Sequence, residues 1–309
     1  MIKITTGVEI GAIANEKQLK IVHIHNRKWK TKLIFHPQPK RPGLALAGYL
    51  KYMDPNRVQI FGKTEMGYLN SLNTAERIRC LQNYLSLDLP GIIVSTGMKI
   101  NHDLKEMSLR FATPILVSSL QTSILISRLS SILYRHFSKK IKMNGVLMDI
   151  MGQGVMIMGT SGVGKSETAL ELINKGYHLI SDDVIEFYLN SNDDPVGRSS
   201  EPIQNLMEVR GLGIININDL FGAFAVMEEK KLDLVIHLEK WDPKKKYDRL
   251  GEDNLYFRVL GIDIPMISIP VAPGRNLSTL IEVAVRYFLA RKNGKKSFLE
   301  LKDEKSKKC

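Results

Sequence analysis

The sequence predicts an α/β protein of two domains, an N-terminal α/β domain over residues 1–134 and a C-terminal phosphate-binding α/β domain over residues 135–309. Three observations carry this expectation. A length of 309 residues favours two cores over one. From Gln18 to about residue 134, strand-like and helix-like segments alternate. The stretch IMGTSGVGKSETALELI, Ile157 to Ile173, then runs from an apolar strand through a glycine-rich turn into an amphipathic helix.

In chain order, QLKIVHIH alternates apolar and polar residues and reads as a strand. RPGLALAGYL reads as a short helix and RVQIFG as a strand. NTAERIRCLQNYLSL follows as a helix, with Asn73 as N-cap and Glu76 three residues on, the pattern of a capping box. Pro90 and Gly91 introduce the strand IIVSTG, HDLKEMSLRF is helical, PILVS is the next strand, and QTSILISRLSSILYRHF is a helix. Beyond Arg135, GVLMDIMGQGVMIMG gives two strands joined at Gly152. Gly176 ends the helix after the glycine-rich turn, because a glycine adopts the left-handed C′ conformation freely. YHLISDD and VIEFYLN are strands, SNDDPVGRSS is a turn-rich loop, and KLDLVIHLEK is a strand. WDPKKKYDRLGEDN is a charged loop, and FRVLGIDIPMISIPV reads as strand, bend, strand. Asn276 and Ser278 can cap the helix LSTLIEVAVRYFLARK, which Gly294 stops.

Composition narrows the classes. Apolar residues make up 44% and charged residues 25%, ordinary for a soluble globular protein. The net charge of +12 invites an acidic partner, although Arg291 to Cys309 alone hold eight basic and three acidic residues. The sequence has no recognisable nucleic-acid module and no basic stripe interleaved with aromatics, so no nucleic-acid partner is expected. Cys80 and Cys309 form no CxxC pair, which suits a reducing cytosol. The N-terminus lacks the apolar core of a signal peptide. The best membrane candidate, Phe111 to Ser127, is short and broken by Pro, Gln, Thr and Ser, so a strand and a helix are expected there and no membrane partner. His23, His25 and His36 have no carboxylate or cysteine at ligand spacing and read as strand and loop residues.

The chemistry concentrates in three places. Gly159, Thr160, Ser161, Gly162, Val163, Gly164, Lys165 and Ser166 complete the pattern G-x-x-x-x-G-K-[ST]. The glycines let successive backbone N–H groups converge on one anion, and the helix beginning at Lys165 adds its positive end. The lysine reaches the terminal phosphates and the serine hydroxyl ligates Mg²⁺. Asp182 and Asp183 follow an apolar run and should lie at a strand end, where adjacent side chains of an extended chain face opposite ways. One of them can face the phosphates and accept a hydroxyl proton; the other can hold structure or touch Mg²⁺ through water. In MEVRGLGIININDLFG, Glu208 and Arg210 stand beside Gly211 and Gly213, an anion and a cation on a backbone free to approach a ligand. Arg249 and Arg275 are further loop cations.

NGVLMDIMGQGVMIMGTSGVGKSETALELINKGYHLISDD followed by EVRGLGIININDLFG resembles the bacterial HPr kinase/phosphorylase family. RVQIFGKTE and PGIIVSTG resemble that family's N-terminal domain, so the likeness covers most of the chain, and EVRGLGIIN is its most specific part. The resemblance implies a C-terminal kinase domain similar in fold to phosphoenolpyruvate carboxykinase. It implies a cytoplasmic homohexamer that phosphorylates a seryl residue of the phosphocarrier protein HPr, with ATP or pyrophosphate as donor and Mg²⁺ as cofactor. The same site would reverse the modification with inorganic phosphate, releasing pyrophosphate, in carbon catabolite control.

Carried over by motif, Gly159 to Ser166 bind phosphates, Ser166 and Glu208 serve Mg²⁺, Asp183 is the shared proton acceptor and donor, and Lys165 and Arg249 are catalytic. Met207 to Asn216, with Arg210 and Gly211, match the segment used in both directions, and Pro270 to Arg275 the segment tied to dephosphorylation. One departure stands out. The family usually has a histidine directly before GVL, and this chain has Asn144, which hydrogen-bonds but exchanges no proton near neutral pH. Three rival classes stay open on sequence alone: a small-metabolite phosphotransferase, a nucleic-acid-stimulated ATPase and a nucleotide sensor without enzymatic activity.

Overall fold

The computed structural model describes residues 7–25, 31–200, 205–241, 255–272 and 274–294. The chain divides into two compact units, Met1–Ser138 and Lys139–Cys309. The divide follows the last helix of the first unit, which carries Tyr134 and runs on to Phe137.

The first unit contains β1 (Val8–Glu9), α1 (Ile10–Ala14), β2 (Ile21–His25), β3 (Leu33–Ile34), β4 (Gln59–Phe61), α2 (Lys63–Ser71), α3 (Thr74–Leu85), β5 (Ile92–Val94), α4 (His102–Arg110), β6 (Ile115–Ser118) and α5 (Thr122–Phe137). β4, β5 and β6 pair in parallel, and β2 closes one edge antiparallel to β6. The parallel strands are buried on both faces, so they read as unbroken apolar runs rather than alternating ones. Phe61, Ile92 and Val94 pack with Leu81 and Leu104 on one side, while Ile60, Ile93 and Leu116 pack with Leu125 and Leu129 on the other. The capping box of α3 forms: Asn73 accepts from the Glu76 N–H at 2.9 Å, and Glu76 accepts from the Asn73 N–H at 3.3 Å. RPGLALAGYL does not make a full helical turn sequence; a short 3₁₀ helix covers only Gly43–Ala45. Two glycines and a proline in that stretch favour a turn over a sustained helix.

The second unit contains β7 (Ile141–Asn144), β8 (Val146–Ile150), β9 (Gln153–Gly159), α6 (Lys165–Asn174), β10 (His178–Ser181), β11 (Val184–Leu189), β12 (Pro195–Ser199), β13 (Leu206–Val209), β14 (Gly213–Asn216), α7 (Ile217–Phe221), β15 (Glu229–Lys231), β16 (Leu234–Lys240), β17 (Leu255–Val259), β18 (Ile262–Val271) and α8 (Leu277–Lys292). Six strands form one sheet in the order β10-β8-β9-β16-β18-β17, with β9, β16 and β18 parallel. Helices α6 and α8 cover one face through Ala169, Leu172, Ile281 and Val285. A four-stranded sheet, β15-β12-β11-β7, packs on the other face through Ile185 and Phe187 against Leu147, Met156 and Val235.

SNDDPVGRSS, expected as a loop, contains strand β12, paired antiparallel with β11 and β15. The turn residues are confined to its first part, where Asn190 Oδ1 accepts from the N–H groups of Asn192 and Asp194. Pro195 is the first strand residue, a position proline tolerates. Gly197 sits where the two sheets approach: a Cβ there would stand 2.5 Å from Leu147 Cδ2. Low strand propensity at these two positions hid the strand.

Candidate active site

β9 ends at the glycine-rich turn, at the C-terminal edge of the parallel strands. Gly159 lies opposite Leu238 of β16, and a Cβ on it would sit 2.4 Å from the Leu238 carbonyl oxygen, so only glycine fits. Val163 is buried in the core and anchors the turn from below. The Val163 N–H donates to the Thr160 carbonyl at 3.3 Å, and helix α6 starts directly after Gly164. Lys165 Nζ donates to the carbonyls of Gly159 at 3.0 Å and Thr160 at 3.3 Å, which holds the ammonium over the turn. Thr168 Oγ1 donates to the Gly164 carbonyl at 2.6 Å and stiffens the first helical turn.

Ser166, on that first turn, donates to Asp182 Oδ1 at 3.1 Å. Asp182 is 7% exposed. Burial pushes its carboxyl above the usual carboxylate range, against the hydrogen bonds from Ser166 and from the Glu208 backbone N–H. Asp183 breaks the extended geometry expected of it. Its φ is +70°, and the Val184 N–H donates back to the Asp182 carbonyl at 3.0 Å, closing a γ-turn around Asp183. The turn arises because the chain leaves the six-stranded sheet at β10 and enters the four-stranded sheet at β11. It is clamped from both sides: Ser181 Oγ donates to the Val184 carbonyl at 2.8 Å, and the Gly145 N–H donates to the Asp183 carbonyl at 3.0 Å. Asp183 is therefore an exposed carboxylate on a strained, over-determined backbone, a combination that concentrates at functional sites. Asn144 pairs in register with Val184, next to this turn.

MEVRGLGIIN, for which the sequence gives no element, folds as the hairpin β13–β14, with Glu208 paired to Ile214 across the strands. Met207 and Val209 point into the core, so Glu208 and Arg210 point outward by alternation. The hairpin reaches the glycine-rich turn: a Cβ on Gly162 would stand 3.0 Å from Arg210 Nη2. Gly162, at φ +79°, thus leaves room for a guanidinium on the rim. Gly211 has φ +86° at the hairpin tip, which explains a glycine there.

Arg275 lies just before α8, whose Leu277 approaches Gly164; a Cβ on Gly164 would meet Leu277 Cδ1 at 3.6 Å. The Arg275 guanidinium stacks over the Trp241 ring, 5.4 Å from its centroid, and the Trp241 N–H donates to the Val271 carbonyl. Trp241 carries no chemistry of its own and is invisible to a motif search; a tryptophan directly after a strand that neighbours the glycine-rich turn is its only signal. Arg249 lies outside the described residues. Asp182 also joins the site more closely than its sequence suggests, since its carboxylate accepts from Ser166 on the first turn of α6.

These groups form a cradle with two cations at the turn, Lys165 and Arg210, and a hard-oxygen pair, Ser166 Oγ and the Asp182 carboxylate. Two such oxygens are the protein share that Mg²⁺ takes when phosphate oxygens complete its shell, so the residues present fit that ion. Fold and cradle together define an α/β phosphate-binding enzyme of the P-loop kind, preceded by a separate α/β unit.

Comparison with known proteins narrows the class. Residues 135–305 match the model of the HPr serine kinase C-terminal domain, and residues 8–133 that of the HPr serine kinase N terminus. The chain belongs to the HPr serine kinase family. It is 45% identical over 254 residues to HPr kinase/phosphorylase 1 of Oceanobacillus iheyensis, covering 82% of each chain. It is 43% identical, at the same coverage, to the HPr kinase/phosphorylase of Geobacillus thermodenitrificans. A structure of the Hpr(Ser) kinase/phosphatase from Coxiella burnetii aligns with a TM-score of 0.46 at 34% identity, over 50% of this chain and 93% of the other.

Proposed function

We propose that the cradle moves the terminal phosphoryl group of ATP or pyrophosphate to a seryl hydroxyl of HPr, and that the same groups run the reverse phosphorolysis. Kinship with HPr kinase/phosphorylases along both units supports the activity. Backbone N–H groups of Gly159 to Ser166 bind the donor phosphates, and Lys165 offsets the charge that spreads over the transferred group. Arg210 faces the same group from the rim beside Gly162. Ser166 and Asp182, with Glu208 beside them, would hold Mg²⁺, which would supply positive charge to offset that of the phosphates.

Asp183 takes the seryl proton as the oxygen attacks phosphorus and the bond to the leaving nucleotide breaks. In reverse, inorganic phosphate attacks the phosphoseryl phosphorus, Asp183 returns the proton to the seryl oxygen, and pyrophosphate leaves. Arg275, steadied by Trp241, positions that small anion with its paired N–H donors. Arg249 keeps the catalytic role that the resemblance implies. The family likeness further supports a cytoplasmic homohexamer in carbon catabolite control. Among the described residues no helix is long and apolar enough to cross a membrane.

The observation that supports the site assignment is the Ser166–Asp182 contact, which ties the neighbour of Asp183 to the first turn of the helix after the glycine-rich turn. Asp183→Asn tests it. Forward and reverse rates should fall together by roughly two to four powers of ten. Loss of one rate alone would refute a shared proton carrier.

A further inference from the structure

Among the described residues of the second unit, the four most exposed large apolar side chains come from one stretch: Phe224 at 92%, Leu212 at 74%, Ile214 at 72% and Leu220 at 63%. They are not scattered. Leu212 sits at the tip of the β13–β14 hairpin, Ile214 stands directly across from Glu208, and α7, carrying Leu220, follows β14 without a linker and packs on it. The 3₁₀ helix Ala223–Ala225, carrying Phe224, follows in turn and packs on α7. Apolar residues that satisfy the fold lie elsewhere in this segment: Met207, Val209 and Ile217 are buried. The outward four do nothing for this core. Exposed apolar side chains gathered on successive, mutually packed elements mark an interaction surface.

Its place says what it meets. The hairpin is the rim of the cradle, since Arg210 lies against Gly162. A serine carried on a folded protein can reach Asp183 only if the protein surface around that serine lies on this rim. We infer that Leu212, Ile214, Leu220 and Phe224 form the docking surface for the protein substrate, and that the substrate presents apolar side chains beside its reacting serine. The inference rests on the seryl kinase reading above. The patch supplies the desolvated centre that a protein contact needs, and the polar groups of the cradle sit at its edge, ready for the hydroxyl. A free seryl side chain or a short polar acceptor gains nothing from this surface, so the patch selects a folded protein acceptor over water and small alcohols.

The test is steady-state kinase kinetics of the full chain with HPr as varied substrate, on wild type, Phe224→Ser, and Leu220→Ser/Phe224→Ser, with sedimentation velocity on each. Both positions lie outside the cradle and are exposed, and Phe224→Ser alone alters a side chain that touches almost nothing, so the fold persists in at least that variant. The KM for HPr should rise about tenfold in the double variant, equivalent to ~1.4 kcal/mol of lost contact. The kcat at saturating HPr, the affinity for ATP and the sedimentation coefficient should stay at wild-type values. An unchanged KM overturns the docking surface while leaving the kinase reading intact. A changed sedimentation coefficient overturns it too, by showing that the patch joins subunits. A wild-type chain that puts no phosphate on HPr refutes the kinase reading itself, and the docking surface with it.

Discussion

Lys165 shows how separable binding chemistry and folding are at single residues. Among the described residues its ammonium bonds only to carbonyls of the turn it serves, Gly159 and Thr160, and those stay within reach of water when it is removed. Lys165→Ala should therefore unfold at nearly the wild-type temperature while phosphoryl transfer falls roughly 10²–10³-fold or more, the loss typical of one preorganised charge-stabilising donor. Near-normal transfer in a folded variant would remove the glycine-rich turn from the mechanism. The identity of such residues is legible because the chemistry demands particular types at fixed spacing, as in Gly159 to Ser166. Their conformation is less so. Asp182 and Asp183 read as an extended pair, yet Asp183 is left-handed. The cause is the crossing from one sheet to the other between β10 and β11, which no local pattern encodes. The same limit applies to Trp241, which matters through Arg275 and carries no motif.

Helix α6 is the element on which the site depends, and it is fixed at both ends. Its first turn belongs to the cradle. Just past its last turn, Lys175 Nζ and Tyr177 Oη both donate to the Glu282 carboxylate of α8. The Lys175 hydrogen bond, more than any other influence, holds the Glu282 carboxyl below its ordinary value of 4.5. The folded pKa thus lies under the unfolded one. The pair's contribution is fully present above the unfolded value and is lost as the pH falls from about 4.5 through the lower folded value. Glu282→Gln should accordingly flatten the acid side of the stability profile, with only a small loss at neutral pH because the partners are partly exposed. Urea unfolding at intervals between pH 6 and pH 3 checks this, and an acid limb as steep as the wild type's would contradict it. Elements were legible where period and caps agree, as in α3 with its capping box and α8 behind Asn276. They were hidden where tertiary contact overrides propensity, as at Pro195 and Gly197 of β12, or where glycines mask a hairpin, as in β13–β14.

The whole molecule is two units with separate cores, and every described cradle residue lies in the second. A chain of residues 139–309 should fold cooperatively and retain transfer to HPr, because domains carry their own cores. A well-folded but inactive fragment would show that the first unit completes the site. The central claim is that one cradle both adds and removes a phosphoryl group on a protein serine. Its most direct test is a single labelling experiment on the full chain with HPr, Mg²⁺ and ATP carrying label in its terminal phosphate, followed by a chase with unlabelled inorganic phosphate. Label should appear on a serine of HPr and then leave it as labelled pyrophosphate. Absence of label on HPr, or its release as inorganic phosphate by hydrolysis, would contradict the account.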